Sequence, residues 1–431
     1  MTPSALAACL FLQIAVVLAF CHALGVLGRK IGQPPVMAEM LAGVILGPSL
    51  VGLFWPQFTA GLFPKESMTV LYAIAQIGIA AYMFVVGMEF RVDIVSSRLR
   101  SAVSVATAGM VCPFVLGGAL GWYFHTHTQL FPAHVTLFNG AVFLGTAMAI
   151  TAFPVLARII AHKNLGGTTM GTVAMGAGAM GDAAAWSLLA VVLAGMDGRV
   201  SHAFFNIGAG VAYVAAVWLV LRPLMARWAR GVESRGRLTE GEAALCVALM
   251  ALGSWLTDAI GLHAVFGAFV IGVAMPRGVV TDSLIAHIQP LTSTLLLPLF
   301  FAYSGLNTQM GLLDSRYLWG MALAVMAAAT LGKGAACWAA ARLSGLSNRD
   351  SLGVGTLMNV RGLMELIIIN IGLQRGIISL ELFAILVIMA MATTFMASPL
   401  FEWLMRRESP AAERSETLSR DNESSLMTPE A

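Results

Sequence analysis

Runs of about 20 apolar residues, separated by short polar connections, recur from end to end of this 431-residue chain. An α-helix rises about 1.5 Å per residue, so a run of that length covers a bilayer hydrocarbon core of roughly 30 Å. The pattern predicts thirteen helices, at 4–27, 34–53, 68–90, 99–124, 137–162, 168–196, 201–222, 238–259, 262–276, 283–308, 316–344, 349–373 and 379–405. The ninth is short for a crossing. No polar stretch between them is long enough for a soluble domain, and the predicted fold is an all-α polytopic membrane protein. The first span has no basic residue ahead of it and no small-residue cleavage site behind it, so it reads as a retained helix and not as a signal peptide.

Composition sharpens this reading. Hydrophobic residues make up 58% of the chain and charged residues only 11%, too little polar surface for a water-soluble globule. Of the 25 Lys and Arg, seventeen lie on connections from an odd span to the next even one or at the end of the thirteenth, among them Arg29, Lys30, Arg158, Lys163, Arg235, Arg406 and Arg407. Four lie on the opposite side: Lys65, Arg199, Arg316 and Arg375. Basic residues stay on the cytoplasmic side, so the amino terminus is predicted outside and the carboxyl terminus in the cytoplasm of a multi-pass protein of the plasma (inner) membrane. The net charge of +3 is then insertion bias, and no nucleic-acid partner is expected. The five Cys, at 9, 21, 112, 246 and 337, stand singly without CxxC spacing or clustered His, which suggests no disulfide, resident metal or cofactor. The tail, 406–431, is polar and predicted to be disordered.

The longest hydrophilic connection before the tail, "RPLMARWARGVESRGRLTEGE", divides the chain into a first half at 1–222, a cytoplasmic connection at 223–237 and a second half at 238–405. If the halves are repeats, matching spans are seven apart. An odd offset inserts each span opposite to its counterpart, the inverted plan of many secondary transporters. Irregular helices should then match. In "GTAMAITAFPVLARII" of span 5, Pro154 cannot donate to the carbonyl of Ile150 and crowds the preceding turn, so a break is predicted over about 147–153, flanked by Thr146 and Thr151. Span 12 carries "GTLMNVRGLMELIIINIG", with Gly355, Asn359 and Gly362 near its centre, Arg361 and Glu365 beside them, and no proline. Unwound backbone inside a membrane is tolerated only where it lines a cavity, so a matched pair of broken spans marks a midplane binding site. Plain kinks and close packing are the alternative use of Pro and Gly.

The stretch "MGAGAMGDAAAWSLLAVVLAGM" holds one ionisable side chain, Asp182, midway along span 6. An intramembrane charge costs at least about 2.5–3.5 kcal/mol on insertion scales, so an acid here is a functional residue by default. A protonated Asp in a helix-to-helix hydrogen bond is the structural alternative, and Gly176, Gly178 and Gly181 weigh against it by letting another backbone approach. Of the 22 acids, Asp182 and Glu365 alone read as deep in the membrane. Glu365 lies four residues from Arg361 on the same helix face and is predicted to pair with it. Asp182 has no such local partner. Lys333 is central on span 11, where its stem reaches neither surface with ease. It is predicted to pair with a carboxylate or to cap the negative end of a half-helix.

The motifs "TAFPVLARII", "LPLFFAYSGLNTQM" and "LMNVRGLMELIIINIGL" closely resemble the monovalent cation:proton antiporters of the sodium/proton exchanger superfamily, in particular the cation:proton antiporter-2 branch. "IGQPPVMAEMLAGVILGPSLVG", "YMFVVGMEF" and "IGLHAVFGAFVIGVAMPRG" match as well, and the resemblance runs over about 10–405. It implies a homodimer whose mobile core moves past a dimerisation domain, with an ion site where broken spans 5 and 12 cross. The family's essential acid falls on Asp182 and its basic core residues on Lys333 and Arg361. Many electrogenic members carry two adjacent acids on span 6. Here Gly181 holds the first position, which favours one-for-one exchange and removes the usual partner of Lys333.

The function expected is electroneutral exchange of Na⁺ or K⁺ for protons by alternating access. A low dielectric disfavours a bare carboxylate. A proton on Asp182 removes that penalty, and so does a cation held by the Asp182 carboxylate, the Thr151 hydroxyl and carbonyls of unwound span 5. A cation channel on the same fold would need a continuous polar path that the spans do not offer. A non-transport membrane sensor would leave Asp182 unexplained, and no nucleophile–base pair or metal-ligand spacing suggests an enzyme.

Overall fold

A computed structural model describes residues 2–30, 33, 35–90, 98–196, 200–306 and 315–407; the tail beyond 407 lies outside the described residues. Helix α1 spans Pro3–Lys30. Helix α2, Pro35–Leu46, stops at Gly47 and Pro48 and is followed by the short helices α3, Val51–Phe54, and α4, Pro56–Leu62. The predicted span 34–53 is therefore interrupted, because the Pro48 ring bars the turn before it. Helices α5, Lys65–Glu89, and α6, Leu99–His127, are continuous.

Span 5 is two helices, α7 (Leu137–Ala149) and α8 (Phe153–His162), and 150–152 is not helical. Pro154 sits in the first turn of α8, where a missing N–H leaves no bond unmade, so the break falls just before it. Helix α9, Thr169–Met196, carries Asp182.

Helix α10, Val200–Ala216, continues through a π-helical turn, Val217–Leu221, into α11, Arg222–Arg235. The predicted connection 223–237 is thus mostly helix. Its polar residues are largely long-chained Arg and Glu, which favour helix as well as solvent. It ends at Gly236, whose left-handed φ of 67° suits glycine. A capping box of Thr239 and Glu242 starts α12, Glu240–Ala259. Then come α13 (Ala264–Ala274), α14 (Val279–Leu291), a π-helical turn at Thr292–Leu296, and α15 (Leu297–Leu306). The chain continues with α16 (Arg316–Leu343), α17 (Asn348–Leu357), α18 (Leu363–Gln374) and α19 (Leu380–Arg407). Span 12 is broken between α17 and α18, over 358–362.

Ten helices among the described residues are long and apolar enough to cross a membrane; the protein is a multi-pass membrane protein. The other three predicted spans are occupied by α9, by the 11-residue α13 and by the split α17 and α18, so the count of thirteen rests on the sequence pattern.

The helices pack as two groups. One comprises α1–α5 and α10–α15, the other α6–α9 and α16–α19. Between them α9 touches α10, α8 touches α2 and α5, and α18 touches α15. Helices within the first group approach very closely. A Cβ on Gly43 of α2 would collide with the Ala302 carbonyl of α15, and one on Gly272 of α13 with the Phe84 carbonyl of α5.

Candidate functional site

The two breaks cross each other. The Ala152 N–H donates to the Val360 carbonyl at 3.2 Å, joining the extended stretch after α7 to the one before α18. A Cβ on Gly362 would come within 2.8 Å of Val155 Cγ2, so glycine at this position permits the crossing.

Interrupting a helix leaves its last carbonyls without intrahelical partners, and the negative end of its dipole favours cations. Two basic side chains meet the end of α7. Arg361 Nη2 donates to the Met148 carbonyl at 2.8 Å and Nη1 to that of Ala147 at 3.4 Å, while Lys333 Nζ donates to Ala149 at 2.5 Å. Lys333 therefore caps a half-helix, and among the described residues it forms no ion pair with a carboxylate. Arg361 Nη1 also donates to Glu365 Oε1 at 3.0 Å, with both side chains fully buried. The Arg361 backbone is clamped from α19: its N–H donates to Thr394 Oγ1 at 2.9 Å, and the Thr394 hydroxyl lies 2.8 Å from the Arg361 carbonyl.

Asn359 Nδ2 donates to the Gly355 carbonyl at 3.0 Å near the end of α17, and its Oδ1 is buried without a partner. Thr146 is buried but donates its hydroxyl to the Val142 carbonyl at 2.8 Å, one turn back in its own helix. Thr151 is buried in the extended stretch itself.

Asp182 is 3% exposed, and its Oδ1 has no hydrogen-bond partner. Its height along α9 follows from its neighbours. A Cβ on Gly178 would come within 2.7 Å of Leu156 and 3.1 Å of Phe153, whereas Thr172 and Met175 share a cavity wall with Ala157, Ile160 and Ala161. Helices α8 and α9 therefore run antiparallel. Four residues past Gly178, a rise of about 6 Å, bring Asp182 from the start of α8 to the level of the 150–152 break. Gly178 packs on side chains and not on another backbone, and a Cβ on Gly181 would meet open space.

One buried acid escaped the sequence reading. Glu39 of α2 is 5% exposed and pairs with Arg158 of α8 at 3.4 Å, leaving its Oε2 without a partner. Asp182 and Glu365 are therefore not the only buried acids on membrane helices. Glu39 lies five residues into an apolar helix, and that position was the available signal. Thr394 likewise stands in the apolar run "MAMATTFMASPL". Its partner is 33 residues away, so its role was not readable.

Comparison with known proteins matches residues 16–407 to the family described as sodium/hydrogen exchanger, transmembrane. The chain is 35% identical over 390 residues to the Na(+)/H(+) antiporter NhaS4 of Synechocystis sp., covering 90% of this chain and 95% of the relative. It is 35% identical over 402 residues to Cation/H(+) antiporter 20 of Arabidopsis thaliana, covering 90% of this chain but only 48% of that longer protein. The fold is similar to that of the sodium proton antiporter MjNhaP1 from Methanocaldococcus jannaschii, with a TM-score of 0.62 and 15% identity over 91% of this chain and 96% of that one. With 392 of its residues matched as one continuous segment and a full-length relative above one-third identity, the chain belongs to the sodium/hydrogen exchanger family of membrane proteins.

Proposed function

We propose that this protein exchanges a monovalent cation, Na⁺ or K⁺, for protons by alternating access, one for one, with Asp182 as the shared site. The observation that carries this reading is the contrast between Asp182 and its surroundings. Lys333 and Arg361 are engaged with the end of α7, and Glu365, although its Oε2 is also without a partner, is ion-paired with Arg361, whereas Asp182 forms no ion pair among the described residues and presents a buried, unpartnered oxygen at the level of the break. The proton and the cation compete for that oxygen. The Thr151 hydroxyl and the carbonyls of 150–152 complete a set of hard oxygen donors suited to a dehydrated monovalent cation. The known activities of relatives named as Na(+)/H(+) and cation/H(+) antiporters agree with this.

The helix grouping supports inverted halves. Spans 1–3 and 8–10 supply one group, spans 4–6 and 11–13 the other, at the offset of seven that the sequence suggests. The group holding the crossing is the mobile core and the other the dimerisation scaffold of a homodimer in the plasma membrane, with its amino terminus outside and its carboxyl terminus in the cytoplasm. A channel is disfavoured because buried apolar residues enclose the crossing.

The test is cation-driven proton movement in everted membrane vesicles loaded with a pH-sensitive dye and challenged in turn with Na⁺, K⁺ and Li⁺. The parent should respond to at least one cation. Asp182→Asn, which keeps the size but cannot exchange a proton, should respond to none while remaining folded in the membrane. Parent-like exchange by Asp182→Asn would overturn the assignment of the site.

A further inference from the structure

Thr394 and its neighbour Thr393 are both fully buried on α19, yet they are used differently. The Thr393 hydroxyl turns back on its own helix, to the carbonyls of Met389 at 2.8 Å and Ala390 at 3.1 Å. That is the ordinary habit of a helical threonine. The Thr394 hydroxyl has a local acceptor as well, the Ala390 carbonyl at 2.8 Å. It nonetheless accepts the Arg361 N–H at 2.9 Å and lies 2.8 Å from the Arg361 carbonyl. Its single proton serves one carbonyl at a time, whereas its lone pair is committed to the N–H. Arg361 stands in the break over 358–362, where the backbone has no helical ladder to join, and a buried N–H left unbonded there is costly.

That N–H belongs to a peptide unit engaged on its other edge too. A peptide unit is rigid and planar, and when it is trans its N–H and C=O point in opposite directions. No cis bond occurs among the described residues. The unit joining Val360 to Arg361 therefore meets Thr394 at its N–H and, at its C=O, the Ala152 N–H at 3.2 Å. The next unit repeats the logic. The Ala152 N–H shares its plane with the Thr151 carbonyl, which points the other way, away from span 12. Two rigid units and two hydrogen bonds thus connect a hydroxyl of α19 to the Thr151 carbonyl across the crossing. The Arg361 guanidinium is not part of this line, since it holds the carbonyls of Ala147 and Met148 before the break.

We infer that Thr394 is a positioning residue for cation binding: through the peptide units 360–361 and 151–152 it fixes the direction of the Thr151 carbonyl, one of the oxygens offered to the cation. The inference rests on the reading of Asp182 and the carbonyls of 150–152 as the cation site. A carbonyl serves as a ligand only when it is aimed at the ion, and the groups bonded behind a ligand set that aim. Thr394 itself touches no ion. Loss of its hydroxyl should therefore weaken cation binding and leave the loaded protein able to turn over.

The test is apparent cation KM and maximal rate of exchange in everted vesicles, with the amount of folded protein measured in each preparation. Thr394→Val keeps the shape of the side chain and removes the hydroxyl. Its KM should rise about five- to tenfold, the factor for one hydrogen bond, while the maximal rate per folded protein stays within about twofold of the parent. Thr394→Ser should keep the parent KM, and so should Thr393→Val, the same change one residue away on a threonine whose bonds are local. A merely structural role would lower the amount of folded protein or the maximal rate without moving KM. A parent-like KM in Thr394→Val, an equal rise in Thr393→Val, or a Thr394→Ser protein as weak as Thr394→Val would overturn the inference. If Thr394→Val does not reach the membrane, Thr394→Ala takes its place. Failure of both where Thr393→Val succeeds would also overturn the inference, by making the clamp a requirement of folding. Parent-like exchange by Asp182→Asn would instead remove the reading of the site, a result separate from these.

Discussion

In the helix group formed by α1–α5 and α10–α15, glycines at 43, 87, 272 and 305 each sit against the backbone of a neighbouring helix, as glycines 117, 121 and 145 do between α6 and α7 of the other group. In the group formed by α6–α9 and α16–α19, the interior is charged, with Lys333, Arg361, Glu365 and Asp182 all buried. Small residues let helix backbones approach closely, and they do so in both groups. Buried charges on interrupted helices are retained where they serve a function. On the proposed alternating-access reading, the second group carries the ion chemistry, and α8, which meets α2 and α5, is the contact along which it would move against the first.

One pair of residues can break that division. Glu39 and Arg158 form an ion pair between the groups, whereas Lys163 and Glu402, at 2.7 Å, form one inside the second group. In a background lacking the five native cysteines, E39C/R158C bridged by a short bifunctional thiol reagent should lose transport completely and regain it when the bridge is cleaved. K163C/E402C, bridged in the same way, should keep transporting. If the bridged E39C/R158C protein works at the rate of its unbridged form, the groups do not move apart at α8.

The charged interior gives the next largest effect. Glu365→Gln strands the Arg361 guanidinium in a dry site, and removing one partner of a buried pair costs about 3–5 kcal/mol. The purified variant should melt at a clearly lower temperature than the parent. Equal thermal stability would mean that the pair contributes nothing to the fold.

The features legible beforehand were local ones. Proline at 154 announced the first break, and the four-residue step from Arg361 to Glu365 announced their pair. Pro48 carried the same signal as Pro154, yet it fell near a predicted span end and its interruption of α2 went unread. The polarity of 223–237 was read as a connection, although arginine-rich segments also form helix. Capping of a half-helix by Lys333 was one of two readings the sequence offered, but neither the half-helix nor the part of Arg361 could be read, because these bonds join residues 184 and 213 positions apart. Only the tertiary fold brings Lys333 and Arg361 to the end of one half-helix, and no single-sequence pattern encodes that meeting.

The smallest expected effect is a null. On the proposed one-for-one reading, with Gly181 beside Asp182, each cycle should carry one proton against one cation and move no net charge. Clamping proteoliposomes at zero or at about −100 mV should leave the equilibrium cation ratio unchanged, whereas one net charge per cycle, worth about 2.3 kcal/mol per 100 mV, would shift it some fiftyfold. Such a shift would make Lys333 or Glu365 a second proton carrier and would leave the scaffold and the chemistry where the two groups put them.

The central claim is that a proton and a cation compete for one carboxylate, and initial exchange rates against cation concentration at a series of pH values test it most directly. With a single shared site, apparent KM should rise as pH falls, approaching about tenfold per pH unit by mass action, while the rate at saturating cation stays level. A KM independent of pH, with the maximal rate falling instead, would place the proton and the cation on different groups and contradict the account.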